Sequence, residues 1–211
     1  MTGIIVCGGR IDNYKYMQKY FKGAKLIVAA DSGARHCKNF HVTPDLLIGD
    51  LDSIRENDYA GLTAAGVEII RFPAEKDFTD SELAVDIAVK KGCSRIVLLG
   101  VIGTRIDHSL ANLYLLRVLL DKGVEGIIAD EYNEVRLVKK SIVLEREEGV
   151  NISLLPLQGD VTGITTSGLY YQLEDATLKV GASRGVSNKF SEDVAKVTVK
   201  EGYLLVIKAR D

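Results

Sequence analysis

Leu47-Ile48-Gly49-Asp50-Leu51-Asp52-Ser53 closes a short apolar run with a glycine and two carboxylates one residue apart. A strand over 46–48 puts Asp50 and Asp52 just past its carboxyl end, where open α/β sheets bind ligands. Alternate residues of extended chain point the same way, so both carboxylates are expected to face one spot. Converging negative charges repel, which makes a cation a natural third member. Mg²⁺ fits, because it takes oxygen ligands and bridges carboxylates to substrate phosphates. The competing reading is a polar loop whose aspartates bond their own backbone and cap the next helix.

Outward from this stretch the chain alternates strand and helix. Apolar runs over 3–7, 26–30, 67–71 and 95–99 read as strands, and helical patterns fall at 12–21, 35–40, 54–65, 83–89 and 107–120. In the last of these helices Leu110, Leu113, Leu116 and Val118 are expected to point inward. Strand–helix alternation implies a mainly parallel sheet. Each strand end carries a polar turn. Gly8-Gly9-Arg10 permits close backbone approach to a ligand. Asp31-Ser32 either caps a helix or joins the same crevice. Thr79-x-x-Glu82 matches a capping box, which leaves Lys76, Asp77 and Asp80 as a charged cluster beside it. Gly103-Thr104-Arg105-Ile106-Asp107-His108 precedes a helix, and backbone N–H groups at a helix start favour anions.

From about Gly126 short strands follow one another, over 126–130, 134–138, 141–145, 151–155, 159–164, 176–180, 194–199 and 203–208, with glycine turns between them. That spacing is the pattern of a β-sandwich or barrel. The expected organisation is an α/β domain over 1–132, three-layered with a mainly parallel sheet, then an all-β sandwich domain over 133–211.

Composition narrows the function classes. The 211 residues carry 27 Lys+Arg against 29 Asp+Glu, a net charge of -2, which argues against a nucleic-acid binder that relies on bulk basic charge. Three widely spaced cysteines fit reduced, buried thiols rather than a disulfide frame. No apolar run approaches the roughly 20 residues that span a bilayer, and the N-terminus lacks a signal-peptide pattern. The expected setting is the cytoplasm.

Together, Asp31-Ser32-Gly33, Gly49-Asp50-Leu51-Asp52-Ser53, Lys76-Asp77-Phe78-Thr79-Asp80 and Gly103-Thr104-Arg105-Ile106-Asp107-His108 resemble, in order and spacing, the thiamine pyrophosphokinase family of bacterial type. In the β part, Thr166-Ser167-Gly168-Leu169-Tyr170-Tyr171 and Ser187-Asn188-Lys189-Phe190 look like that family's thiamine-contacting segments. The resemblance implies transfer of a pyrophosphoryl group from ATP to the thiamine hydroxyl, giving thiamine diphosphate and AMP. It also implies a homodimer whose active sites are shared between subunits. On this basis Asp50, Asp52, Asp77 and Asp80 are the expected Mg²⁺ and catalytic residues, and Asp80 is the candidate proton acceptor. Asp31, Lys76, Gly103, Thr104, Arg105, Asp107 and His108 are expected at the ATP phosphates, and Tyr171, Ser187 and Asn188 at thiamine. Tyr171 stands where some members carry tryptophan, a residue this chain lacks. Two rivals remain open: a pyrophosphokinase for another hydroxymethyl substrate such as a pterin, and a non-catalytic nucleotide- or thiamine-binding sensor.

Overall fold

A computed structural model describes residues 1–52 and 54–211; Ser53 of the quoted stretch lies outside the described residues. The chain divides into two compact units, Met1–Glu131 and Tyr132–Asp211.

In the first unit the strands are β1 (Thr2–Val6), β2 (Leu26–Ala30), β3 (Leu46–Gly49), β4 (Glu68–Arg71), β5 (Arg95–Leu99) and β6 (Glu125–Ala129). They pair in parallel in the order β4-β3-β2-β1-β5-β6. The central strands are near-continuous apolar runs, as sheets covered on both faces require: Ile4, Ile5 and Val6 are all fully buried. After β1 the chain works outward through β2, β3 and β4, then returns to place β5 on the other side of β1. The order therefore reverses between β1 and β5, and such a switch point opens a crevice at the carboxyl ends of the strands.

The connecting helices are α1 (Tyr14–Met17), α2 (Ala34–Asn39), α3 (Glu56–Ala64), α4 (Asp80–Lys90) and α5 (Ile106–Asp121). The helix expected over 12–21 is a single α-turn capped by Asn13 and continued as a 3-10 turn over Gln18–Phe21. The spacing of these apolar side chains reports packing rather than helix length: Met17 is fully buried, with Tyr14, Tyr20 and Phe21 packed on the same core. Helix α4 starts where the capping box placed it, with the Glu82 N–H donating to Thr79 Oγ1 at 3.2 Å.

Helix α5 corrects the expected phase. Its buried residues are Asn112, Leu115, Leu116 and Leu119, while Leu110 and Val118 face outward at 48% and 37% exposure. The helix is apolar on more than one side, so periodicity alone cannot choose the face that docks. Burial of Leu116 and Leu119, about 2 kcal/mol each, decides it. The strand expected at 126–130 pairs in parallel with β5 and belongs to the first unit, inside the α/β domain expected over 1–132.

The second unit contains β7 (Asn133–Val138), β8 (Ser141–Glu145), β9 (Asn151–Pro156), β10 (Val161–Ser167), β11 (Ala176–Leu178), β12 (Val194–Thr198) and β13 (Leu204–Ala209). Antiparallel pairing gives one sheet ordered β7-β13-β9 and another ordered β11-β10-β12-β8. Both contribute to one core, Val138, Ile152, Leu154, Leu204 and Val206 from the first and Leu144, Val161, Ile164, Ala195 and Val197 from the second. This is a sandwich, with core side chains two residues apart in β9 (Ile152, Leu154), β12 (Ala195, Val197) and β13 (Leu204, Val206). No helix among the described residues is long and apolar enough to cross a membrane.

Candidate active site

The strand ends of the first unit surround a cleft of about 450 Å³, within the size range of small-molecule sites. Cys7, Gly8 and Gly9 line it from the end of β1, Asp31 and Ser32 from β2, Asp50 from β3, and Gly100 and Val101 from β5. Lys76, Thr79, Asp80 and Ser81 come from the start of α4, and Gly103, Thr104, Arg105, His108, Ser109 and Asn112 from the approach to α5 and its first turns.

The floor is a close backbone crossing at the switch point. Gly9 N–H donates to the Gly100 carbonyl at 2.7 Å, and a Cβ added at Gly9 would overlap that oxygen. The turn is also held from α2. Arg35 Nη2 donates to the Gly8 carbonyl at 2.5 Å, and His36 Nε2 lies 2.7 Å from the Gly9 carbonyl. A carbonyl only accepts, so His36 is the Nε2–H tautomer. Its Nδ1 accepts from Tyr14 Oη at 2.7 Å. Burial is the main reason the His36 pKa lies below its ordinary value.

Most residues expected at the phosphates and metal meet in this cleft: Asp31, Asp50, Lys76, Asp80, Gly103, Thr104, Arg105 and His108 all line it. Asp52, Asp77 and Asp107 do not belong to its lining. Asp52 is turned away for a local reason. Leu51 is buried with φ 67°, a left-handed conformation, so the extended alternation that would aim both carboxylates alike is broken. The Asp52 N–H instead donates back to Asp50 Oδ1 at 3.1 Å. Asp77 is exposed at the mouth of the α4 loop.

Lys76 Nζ and Asp80 Oδ1 stand 2.8 Å apart, with side chains 13% and 26% exposed. One cation thus already faces one carboxylate inside the cleft. Arg105 is gripped by Asp107 at two points along one guanidinium edge, Nε to Oδ1 at 3.3 Å and Nη2 to Oδ2 at 2.6 Å. That contact, with the His108 backbone N–H, holds the Asp107 carboxyl down to about 2. The Gly103 N–H is spent on Ser109 Oγ at 3.1 Å, a partner the sequence reading did not anticipate. Arg10 pairs with Asp12 at 2.5 Å and lies outside the cleft lining. Burial, then the nearby Asp80, pushes the Cys7 thiol up to about 12, so it stays protonated and is no nucleophile.

In the second unit Asn188 is buried at 6% exposure, and its amide is committed to the backbone. Oδ1 accepts from Tyr171 N–H at 3.0 Å and Lys189 N–H at 2.9 Å, and Nδ2 donates to the Tyr171 carbonyl at 2.7 Å. Asn188 therefore fixes the Tyr170-Tyr171 corner, whose rings meet edge to face at 4.9 Å and are 69% and 65% exposed. Ser187 holds φ 60°, and its N–H donates to Ser153 Oγ at 3.1 Å.

Carboxylates, a lysine and an arginine gathered at the switch point of a parallel sheet define an α/β enzyme site of the kind that handles anionic ligands. Residues 17–128 match the family described as "Thiamin pyrophosphokinase, catalytic domain" and residues 139–204 match "Thiamin pyrophosphokinase, vitamin B1 binding domain". The chain belongs to the thiamin pyrophosphokinase family. It is 27% identical over 209 residues to a thiamine pyrophosphokinase of Bacillus subtilis, covering 98% of each chain. It is 26% identical over 179 residues to "Thiamine pyrophosphokinase 1" of Oryza sativa, covering 80% of this chain and 67% of the relative. The crystal structure of the B. subtilis enzyme superimposes with a TM-score of 0.92 at 26% identity over the whole of both chains. That of a Geobacillus thermodenitrificans thiamin pyrophosphokinase gives 0.85 at 27% identity, over 100% of this chain and 98% of the other.

Proposed function

We propose that this chain transfers the pyrophosphoryl group of ATP to the hydroxyl of thiamine, giving thiamine diphosphate and AMP. The observation that carries the reading is the family match over both units, joined to a switch-point cleft that offers both cations and carboxylates.

In-line attack by an alcohol on a phosphorus needs positioning and charge stabilisation more than covalent chemistry from the protein. Lys76 and Arg105 supply cations for phosphate oxygens, and Asp107 keeps the Arg105 guanidinium oriented by its two-point grip. The glycine crossing at Gly9 and Gly100 lets the ligand approach the backbone. Asp80 is the proposed acceptor of the hydroxyl proton. It becomes available when Lys76 exchanges its carboxylate partner for a phosphate.

The donor set suits Mg²⁺, since the cleft presents hard carboxylate oxygens from Asp31, Asp50 and Asp80. Among the described residues no three His, Cys, Asp or Glu side chains form a ready metal cage. Mg²⁺ does not require one, because it keeps waters and binds through one or two carboxylates plus substrate phosphates. Asp50 and Asp80 are the proposed holders, with Asp52 and Asp77 in the same two loops. When bound, the ion neutralises phosphate charge.

In the second unit the exposed Tyr171 ring gives a π-face suited to the thiamine cation, with Asn188 holding the Tyr171 backbone and Ser187 its neighbour in the chain. The reading includes a homodimer with active sites drawing on the α/β unit of one copy and the β unit of the other. It is supported by a solvent-facing apolar stripe on α5, Ile106, Leu110, Tyr114 and Val118, 37% to 72% exposed.

The test is to supply ATP, Mg²⁺ and thiamine and to follow AMP and thiamine diphosphate together. AMP formation that ignores thiamine but responds to a pterin alcohol would move the substrate class. Tight binding without turnover would favour a sensor. For the shared site, an Asp50 variant mixed with a Tyr171 variant should regain activity through mixed dimers, and failure of exchange-competent pairs to do so counts against sharing.

A further inference from the structure

Asn112 occupies an inward position of α5 and is buried at 7% exposure. Its Nδ2 donates to the Val101 carbonyl at 2.8 Å, and its Oδ1 accepts from Ser81 Oγ at 2.7 Å. Ser81 Oγ lies 3.0 Å from Thr79 Oγ1, which accepts the Glu82 N–H at 3.2 Å. The Val101 carbonyl can only accept, so it sets the orientation of the amide. The single Ser81 proton then belongs to Asn112, and the Thr79 proton to Ser81. The direction of each hydrogen bond from Glu82 through Thr79 and Ser81 to Asn112 and Val101 is thereby assigned.

The two ends of this chain are the two banks of the cleft. Thr79 and Ser81 flank Asp80 in sequence and open α4, whereas Val101 begins the turn that runs through Gly103 to Arg105. Simple satisfaction of a buried amide would need any two partners. Here the partners are cleft-lining residues on both banks, which among the described residues no strand pairing joins, although α4 also packs against α5.

We propose that Ser81 and Asn112 form a strut that sets the spacing between the Lys76–Asp80 bank and the Gly100–Arg105 bank, making Asn112 a positioning residue for the transfer. The inference rests on the reading that both banks handle the nucleotide phosphates. Buried polar networks act as units, so removing either member removes the link.

The experiment measures kcat and both KM values at saturating Mg²⁺ for wild type, Ser81→Ala, Asn112→Ala, the double variant and Ser81→Thr, with circular dichroism to confirm folding. Loss of one such hydrogen bond predicts a kcat lower by roughly tenfold in each alanine variant, with the double variant no worse than Asn112→Ala. The thiamine KM is expected to stay within about twofold, and Ser81→Thr, which keeps the hydroxyl, to retain kcat within about threefold. Should Asn112→Ala fail to fold, the smaller change Ser81→Ala carries the comparison with Ser81→Thr. Unchanged kcat in folded Ser81→Ala, losses that multiply in the double variant, or a Ser81→Thr as impaired as Ser81→Ala overturns the strut. Absence of wild-type turnover overturns the functional reading beneath it, a distinct result.

Discussion

Replacing Tyr14 by phenylalanine removes one oxygen from the middle of a chain that ends on the glycine turn of the cleft. Asn39 Nδ2 donates to Tyr14 Oη at 2.8 Å, Tyr14 Oη donates to His36 Nδ1 at 2.7 Å, and His36 Nε2 donates to the Gly9 carbonyl at 2.7 Å. The phenylalanine ring keeps the edge-on contact with Phe40, whose centroid is 4.9 Å away, so packing is retained and the change reads the hydroxyl alone. Asn39 is exposed and regains water. His36 is only 4% exposed, and its Nδ1 is left as an interior acceptor without a donor. Removing one partner and stranding a buried acceptor costs about 1–3 kcal/mol, so Tyr14→Phe should destabilise the α/β unit by about that amount.

The same chain sets a pH dependence. Burial, aided by Arg35, lowers the His36 pKa from its ordinary 6.5, while the Gly9 carbonyl and Glu131 oppose the shift. With the folded pKa below the unfolded one, the unfolded state binds more protons between the two. The stability owed to neutral His36 is therefore complete above 6.5 and is lost as pH falls toward the folded pKa. Urea unfolding followed by circular dichroism at pH 7.5 and 5.5 checks both points, with His36→Gln as the variant that cannot titrate. A Tyr14→Phe protein within about 0.5 kcal/mol of wild type at pH 7.5, the range of an inconsequential surface change, would refute the chain. Wild type gaining on His36→Gln as pH drops would refute the sign.

Further outcomes follow from the same geometry. Lys76→Met leaves Asp80 facing the cleft without its 2.8 Å partner, and the ATP KM should rise roughly tenfold or more, as expected for a lost charge-assisted contact; steady-state kinetics at fixed thiamine would show an unchanged KM if Lys76 does not meet the nucleotide. Asn188→Ala strands the Tyr171 N–H and carbonyl and the Lys189 N–H, which should raise the thiamine KM while leaving the ATP KM unaltered, and should cost the β unit about 2 kcal/mol by thermal unfolding. Cys7 and Cys37, with thiols pushed up to about 12, should resist an aromatic disulfide reagent at pH 8 until urea is added; rapid labelling of native Cys7, located by mass spectrometry, would contradict its burial.

Much of the site was readable in the chain because strand ends announce themselves. Apolar runs broken by Gly, Asp and Ser put Asp31, Asp50 and Gly100 at the carboxyl ends of β2, β3 and β5, where parallel topology gathers them. The capping pattern located the start of α4 for the same local reason. Side-chain direction was less accessible. Asp52 was expected beside Asp50, but the left-handed Leu51 turns the chain between them, and nothing in the residue types signals that conformation. Asn112 carries a weak signal in the sequence: a polar residue three, four and seven positions before leucines on one helix face has to be hydrogen-bonded when that face is buried.

What the sequence determined alone is what short-range chemistry controls. The alternation of strand and helix up to residue 129, the serial β-strands after it, the caps, the glycine turns and the inventory of carboxylates and cations all follow from neighbours within a few positions. What only the tertiary structure decided is which of those groups meet. Helix α5 could dock by either of two apolar faces, and burial of Leu115, Leu116 and Leu119 chose the one that brings Asn112 against Ser81 and Val101. The His36 grip on Gly9, which joins the first turn of α2 to the end of β1, is likewise a product of packing. The physical reason is that side-chain orientation depends on contacts far apart in sequence, which no local pattern encodes.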